Sequence, residues 1–260
     1  MPNLKKVSAE RIQVELTKLL MSPNPSWFRL MYGSGITEVV LPEFDAAMKC
    51  EQNSPYHCYS VGEHTLEVLA HTPADLPLRL TALLHDLGKP VMKTTDENGR
   101  DHFHGHAVES EQIAQDVLHR LKFDNYTINR TCRLLRFHDY RMAAEAVEIR
   151  KAINLIGEDL FADLLAFQRA DSSAKKPEVV VMALAQLEKI EAVYQEILDK
   201  KQCTSLKMLA VTGKDLIQAG MKPGKEMGVV LEQLLQHVLE YPEDNQKEIL
   251  IQRWREGRGN

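Results

Sequence analysis

Five successive stretches of this chain, residues 105–122, 125–138, 145–156, 158–172 and 177–200, read as helices, while only one place, Asn98–Gly99, carries a strong hairpin signal. A chain organised this way has too few strands to close a sheet. It must bury its apolar stripes helix against helix. Composition agrees: aromatic residues are only 6%, and Leu, Ala, Glu, Lys and Met are plentiful, a bias toward helix formers. The expected fold class is therefore all-α: a helical bundle with one small β-hairpin and a C-terminal helical appendage.

Upstream, Ser8 caps a predicted helix over residues 8–22 whose Ile12, Leu16, Leu19 and Leu20 form one stripe. Asn24 or Ser26 starts a second, stopped by Gly33 and Gly35, and residues 36–47 form a third, broken near Pro42. Residues 48–60 are polar, carry Pro55 and read as a loop. A helix runs from Ser60 or Val61 to about His71, and another from Pro77 until Gly88 and Pro90 end it. The hairpin pairs VMKTT with RDHFH across DENG. Beyond residue 204, Thr212, Pro223 and Asn245 start three shorter helices. The break at Lys175–Pro177 separates a core from a C-terminal helical region at 176–260, and upstream of it the chain divides into N-terminal neck-like helices at 1–55 and a core domain at 56–175. The Leu/Val stripe at 229–239 reads as core or as the seam of a homodimer.

Bulk properties exclude some functions. The net charge is −5 and the pI near 6.1, whereas proteins that grip nucleic acid through phosphate neutralisation are usually basic. A large RNA footprint is disfavoured on this ground. Cys50, Cys58, Cys132 and Cys203 lack CxxC spacing and read as reduced thiols. The chain shows no signal peptide and no membrane span, so the expected location is the cytoplasm, with no membrane partner.

Chemistry concentrates in the ionisable groups placed among apolar neighbours. His85–Asp86 lies within LTALLHDLGK, and an ionised carboxylate there costs several kcal/mol unless paired or bound to a cation. Imidazole and carboxylate together suit Zn, Mn or Fe. His64 sits on a helix with apolar neighbours, His138–Asp139 follows Leu134, Leu135 and Phe137, and Asp171 ends the run DLLAFQRAD. His102, His104 and His106 cluster after the hairpin; His106 is preferred as a ligand because GHAVES opens a helix, a firmer platform than a strand. Arg136, Arg141, Arg169 and Lys175 could extend a phosphate site, with solvated surface roles as the competing reading. Asp139 could serve as a general acid, as a partner to a ligand histidine, or as a solvent-facing loop residue. His57, His71, His119 and His237 read as ordinary surface or packing histidines.

The order His64, His85–Asp86, Asp171, with HDLGK around the pair, resembles the H…HD…D signature of the HD family of metal-dependent phosphohydrolases. That resemblance implies an HD-domain helical bundle. It also implies that His64, His85, Asp86 and Asp171 hold a first metal and that Asp86, His106 and His138 hold a second. The cofactor would be one or two divalent ions (Mn, Fe, Ni, Zn or Mg), and Lys89 would meet substrate phosphate. A second resemblance spans nearly the whole chain. SAERIQVELTKLLMSPNP, EQNSPYHCYSVGEHTLEVL, KTTDENGRDHFHGH and LAVTGKDLIQAGMKPGKEMGVVLEQLLQHVLEYPEDNQKEIL are similar to the region behind the catalytic head of bacterial CCA-adding tRNA nucleotidyltransferases. The head itself is missing: no two aspartates stand two positions apart, as a nucleotidyltransferase needs for its two Mg²⁺, and GMKPGK lacks P-loop spacing. CCA addition therefore does not follow. The expected function is hydrolysis of a phosphomonoester or phosphodiester in a nucleotide or cyclic-phosphate substrate by metal-activated water, with Asp86, Lys89 and Asp139 as the catalytic set. The alternatives are a non-catalytic tRNA- or RNA-binding module and an accessory subunit of a split tRNA nucleotidyltransferase.

Overall fold

A computed structural model of the chain describes residues 4–56 and 58–257; His57 lies outside the described residues. The helices are α1 (Ala9–Leu20), α2 (Phe28–Gly33), α3 (Thr37–Val40), α4 (Pro42–Met48), α5 (Val61–His71), α6 (Leu76–Leu84), α7 (Lys89–Met92), α8 (His106–Arg120), α9 (Asn125–Phe137), α10 (Ala146–Ile156), α11 (Glu158–Ser173), α12 (Pro177–Asp199), α13 (Gly213–Gln218), α14 (Glu226–Glu240) and α15 (Lys247–Glu256). The strands β1 (Thr94–Thr95) and β2 (Asp101–His102) pair antiparallel, Thr94 opposite His102 and Thr95 opposite Asp101. The fold is all-α with one small hairpin, as the periodicity predicts.

Local chemistry sets the boundaries. Side chains of Ser8, Ser60, Asp75 and Asp124 accept from backbone N–H groups in the first turns of α1, α5, α6 and α9. The hairpin is shorter than the sequence suggests, because Pro90 does not simply stop a helix. It sits in the first turn of the short helix α7, where its fixed φ is favourable, and so Val91 and Met92 turn helically instead of extending. Likewise α6 ends at Leu84, and His85 to Gly88 form a tight turn.

By contacts the chain divides into two units, Met1–Arg141 with Ala162–Leu187, and Met142–Phe161 with Glu188–Asn260. In the first unit α6 lies at the centre, with α5 and α9 packed against it; α4 packs on α5, and α8 on α9. Residues 77–89 are buried without a break, as expected of a helix that is apolar all round. Arg79 is the exception in type, and its guanidinium is satisfied by carbonyls: Leu20, Ser22 at 2.8 Å and Thr72 at 3.2 Å. It thereby closes the C-terminal end of α1. In the second unit α14 packs on α10, α13 and α15 and buries Leu234, Leu235, Val238 and Leu239, while Val229 stays exposed. Most of the 229–239 stripe is therefore core. None of the four cysteines is paired, and no helix among the described residues is long and apolar enough to cross a membrane.

Candidate metal centre

Four histidines of the first unit are oriented in the same way. Nδ1 of His85 lies 2.9 Å from Ala82 O, Nδ1 of His106 2.9 Å from Phe103 O, and Nδ1 of His138 2.7 Å from Leu135 O. His64 Nδ1 lies 3.3 Å from Ala174 O. A carbonyl oxygen can only accept, so these contacts assign the ring proton to Nδ1 and leave Nε2 of each neutral ring as a lone pair. All four Nε2 atoms turn toward the carboxylates. His85 Nε2 is 3.1 Å and His64 Nε2 4.0 Å from Asp86 Oδ2. His106 Nε2 is 3.5 Å from Asp86 Oδ1 and 3.2 Å from His138 Nε2. His64 Nε2 is also 3.0 Å from Asp171 Oδ1.

Helix ends position these groups. His85 follows the last residue of α6, His106 opens α8, and His138 follows α9, so three backbone termini converge. Gly105 supplies the left-handed conformation (φ 83°) that starts α8. Gly88 permits the close approach of α8: a Cβ there would lie 2.6 Å from His106 O and 2.7 Å from Ser110 N.

Electrostatics hold both carboxyls ionised. Burial alone would raise the pKa of Asp86, but His85, Lys89 and His106 outweigh it and keep the carboxyl well below its ordinary value. Burial likewise opposes ionising Asp171, which Lys175 and His64 hold well below normal. Burial disfavours a charged His85, yet the adjacent Asp86 carboxylate prevails and raises its pKa. His138 goes the other way, down to about 4, through burial and the neighbouring His85.

The fit to a cation rests on two orphaned atoms. His85 Nε2 and Asp86 Oδ2 are fully buried and have no hydrogen-bond partner; Lys89 Nζ lies 2.7 Å from Oδ2, close in distance but not aligned for a hydrogen bond. Two atoms ligating one ion at about 2.1 Å stand roughly 3–4 Å apart, the range in which these donors already lie. Among the described residues, two groups have ligand atoms all within 4.8 Å of one another: His64, His85 and Asp86, and Asp86, His106 and His138. Asp86 belongs to both. Asp171 stands outside them, beside His64, with Lys175 Nζ 2.5 Å from its Oδ2.

The other expected residues are distributed unevenly. Lys89 is buried, and its Nζ also donates to Gln52 Oε1 at 3.2 Å. Arg141 lines the mouth of the cavity over the site and pairs with exposed Asp139 at 2.5 Å. Arg136 and Arg169 do not line it; Arg136 forms a two-pronged pair with Glu111 at 2.7 and 2.9 Å. His102 pairs with Asp96 at 2.9 Å, and His104 stacks on His102. Sequence reading gave no role to the loop at 48–60. Its Gln52 reaches Lys89, and its Asn53 accepts the Asp101 N–H on its carbonyl and donates its own N–H to the Asp101 carboxylate. The only signal was EQNSPYH itself, polar residues packed densely before a helix cap.

Fold and site together define a class: an all-helical protein with a buried histidine–aspartate cluster whose donor atoms are spaced as metal ligands are. The chain belongs to the tRNA nucleotidyltransferase domain 2 family, which residues 105–253 match. Residues 1–48 match a second family, described as "Probable RNA and SrmB- binding site of polymerase A". The chain is 32% identical over 235 residues to the CC-adding tRNA nucleotidyltransferase of Thermus thermophilus, covering 87% of this chain and 52% of that one. It is 29% identical over 268 residues to the A-adding tRNA nucleotidyltransferase of Deinococcus radiodurans, covering 95% and 58%. A multifunctional CCA protein of Janthinobacterium sp. is 35% identical over 146 residues. The chain thus spans about half the length of the first two relatives.

Proposed function

We propose that this chain is an HD-type, metal-dependent phosphohydrolase that cleaves a phosphomonoester or phosphodiester of a nucleotide or an RNA end. The observation that carries the reading is Asp86, buried and shared between two sets of imidazole lone pairs. His64, His85 and Asp86, with Asp171 beside them, would hold one ion, and Asp86, His106 and His138 a second. Such ions lower the pKa of water toward neutrality and offset charge on phosphoryl oxygens. The chain's own residues do the rest. The backbone carbonyls behind each Nδ1 fix the ring orientations. Lys89, steadied by Gln52, offers an ammonium to a phosphoryl oxygen, and Arg141 adds charge at the mouth. In the reaction water loses a proton as its oxygen bonds to phosphorus, the ester P–O bond breaks, and the leaving alkoxide takes up a proton, so the two proton transfers balance.

A second reading, an RNA-binding or accessory subunit, is favoured by the match of residues 1–48 and by relatives whose names place them on tRNA. These similarities point to an RNA partner despite the acidic charge balance, which is a sum over the whole chain and not a description of one face.

The test is elemental analysis of protein produced with Mn²⁺, Ni²⁺ and Fe²⁺, wild type beside Asp86→Ala, followed by a hydrolysis panel of 2′,3′-cyclic nucleotides and nucleoside mono- to triphosphates. Wild type should retain metal and hydrolyse at least one of these substrates; Asp86→Ala should do neither. A metal-free wild type that binds labelled tRNA with a steep salt dependence would replace the first reading with the second.

A further inference from the structure

The cavity above Asp86 is larger than a phosphate needs. Its volume is about 650 Å³, within the range of pockets that enclose a whole small molecule. Its inner end is ionisable: His85, Asp86, Lys89 and Asp171. Its exposed lining differs in kind: Tyr56, Arg100 and His104.

Tyr56 is 50% exposed, although its backbone is tied down. Its carbonyl accepts from Lys176 N–H at 3.1 Å, its N–H donates to Ser54 Oγ at 3.2 Å, and Lys176 Nζ donates to Ser54 O at 3.1 Å. An exposed aromatic on a fixed backbone is a preorganised contact surface. Arg100 lies with Cζ 5.9 Å from the centre of that ring. Nearby, His104 stacks on His102 with centroids 5.6 Å apart and planes 10° from parallel, and His102 is itself anchored to Asp96. Flat π-faces and a guanidinium in the exposed lining of a cavity, with the Lys89 ammonium among its buried lining, match a flat heterocycle joined through a sugar to a phosphate.

We propose that Tyr56 and Arg100 form a stacking platform for the base of a nucleotide whose phosphate reaches Lys89, so that the site prefers nucleotides over phosphates without a base. This rests on the phosphohydrolase reading for its turnover but not for its binding. The nucleotide could be free or the last residue of an RNA, and both carry the same chemistry.

The test compares wild type, Tyr56→Ala and Tyr56→Phe, each reconstituted with Mn²⁺. Substrates are adenosine 2′,3′-cyclic phosphate, a trinucleotide ending in that group, and glycerol 1,2-cyclic phosphate, which has no base. Stacking of one base on an aromatic side chain corresponds to roughly 5- to 150-fold in affinity. Tyr56→Ala should therefore lower the nucleotide-over-glycerol ratio of kcat/KM at least fivefold, through KM, while Tyr56→Phe retains it. A faster trinucleotide than mononucleotide assigns the platform to RNA ends, and the reverse order to free nucleotides. An unaltered ratio in Tyr56→Ala overturns the proposal. If wild type hydrolyses none of the three, cyclic phosphates are not its substrates, and the platform is judged by equilibrium dialysis of AMP against ribose 5-phosphate. Tighter AMP binding that Tyr56→Ala abolishes sustains it, and equal binding of the two ligands overturns it.

Discussion

Oδ1 of Asp86 lies 3.5 Å from Nε2 of His106, while its Oδ2 faces His85 and His64. One carboxylate therefore serves both groups of donors, and their losses should be unequal. Asp86→Ala should remove all bound divalent metal. His138→Ala deletes a donor from one group only, so the protein should keep the ion held by His64, His85 and Asp86 and show a lower metal-to-protein ratio. Mass-spectrometric metal analysis of both variants decides this. Equal losses would mean that the two groups do not act as separate sites.

Gly88 is required by contact and not by backbone conformation. A Cβ would strike His106 O and Ser110 N, which are backbone atoms that cannot rotate away. Gly88→Ala should cost about 1–3 kcal/mol, lowering Tm by several degrees, and it should weaken metal retention by pushing α8 and His106 outward. Gly33 has nothing within 4 Å of its would-be Cβ. Gly33→Ala should be neutral or stabilising by up to about 1 kcal/mol through helix propensity. Thermal unfolding of the two variants side by side tests the contrast; matching losses would sink it.

The pair His85–Asp86 shows what the sequence made legible. Helical spacing fixes α5, α8 and α9, and a lone Asp after LTALLH demands a partner, so the buried pair is legible in the sequence. The preference for His106 over its neighbours came from the helix it opens, and the structure sets His106 beside Asp86 while His102 turns to Asp96. Gln52, Tyr56, Arg100 and Asp101 were not legible. Tyr56, Arg100 and Asp101 acquire their roles from contacts between an irregular loop and a hairpin more than 40 residues apart, as with Asn53 Nδ2 and Gly99 O, and Gln52 from Lys89, 37 residues on; no periodicity encodes such pairings. Arg136 was misleading for a related reason: from sequence a surface arginine beside a site and one committed to Glu111 look alike.

That loop–hairpin junction depends on pH. Asp101 is almost wholly shielded, accepts the N–H of Asn53 at 2.7 Å and the hydroxyl of Thr95 at 2.7 Å, and lies 2.9 Å from Lys93 Nζ. The Asn53 bond above all, then Thr95 and Lys93, brings its pKa to about 2. A carboxyl whose folded pKa is depressed adds stability above its unfolded value of about 3.9 and loses it as pH falls through the folded one. Asp101→Asn should therefore be less stable than wild type at pH 7, and the gap should close between about pH 4 and pH 2. Melting curves of both proteins across that window test it; a gap of constant size would show that the ionised form contributes nothing.

Asp139 sits with Arg141 at the cavity mouth, Oδ1 to Nη2 at 2.5 Å, and both side chains are at least half exposed. Sequence alone left Asp139 open as a general acid. A general acid contributes about 10²–10⁴-fold to rate, so in that role Asp139→Asn would reduce kcat by such a factor. The observed pairing predicts otherwise. The carboxylate screens Arg141, and its removal frees the guanidinium for substrate phosphate, so Asp139→Asn should lower KM severalfold with kcat changed by less than about threefold. Arg141→Gln should raise KM by about 5- to 10-fold, the effect of losing one partly solvated charged contact. Arg136→Gln is the comparison: it breaks an exposed pair worth at most about 1 kcal/mol in stability and leaves KM as it was. Steady-state kinetics of the three variants on one phosphoester separate the roles, because loss of a proton donor lowers kcat while loss of a contact made equally in ground and transition states raises KM.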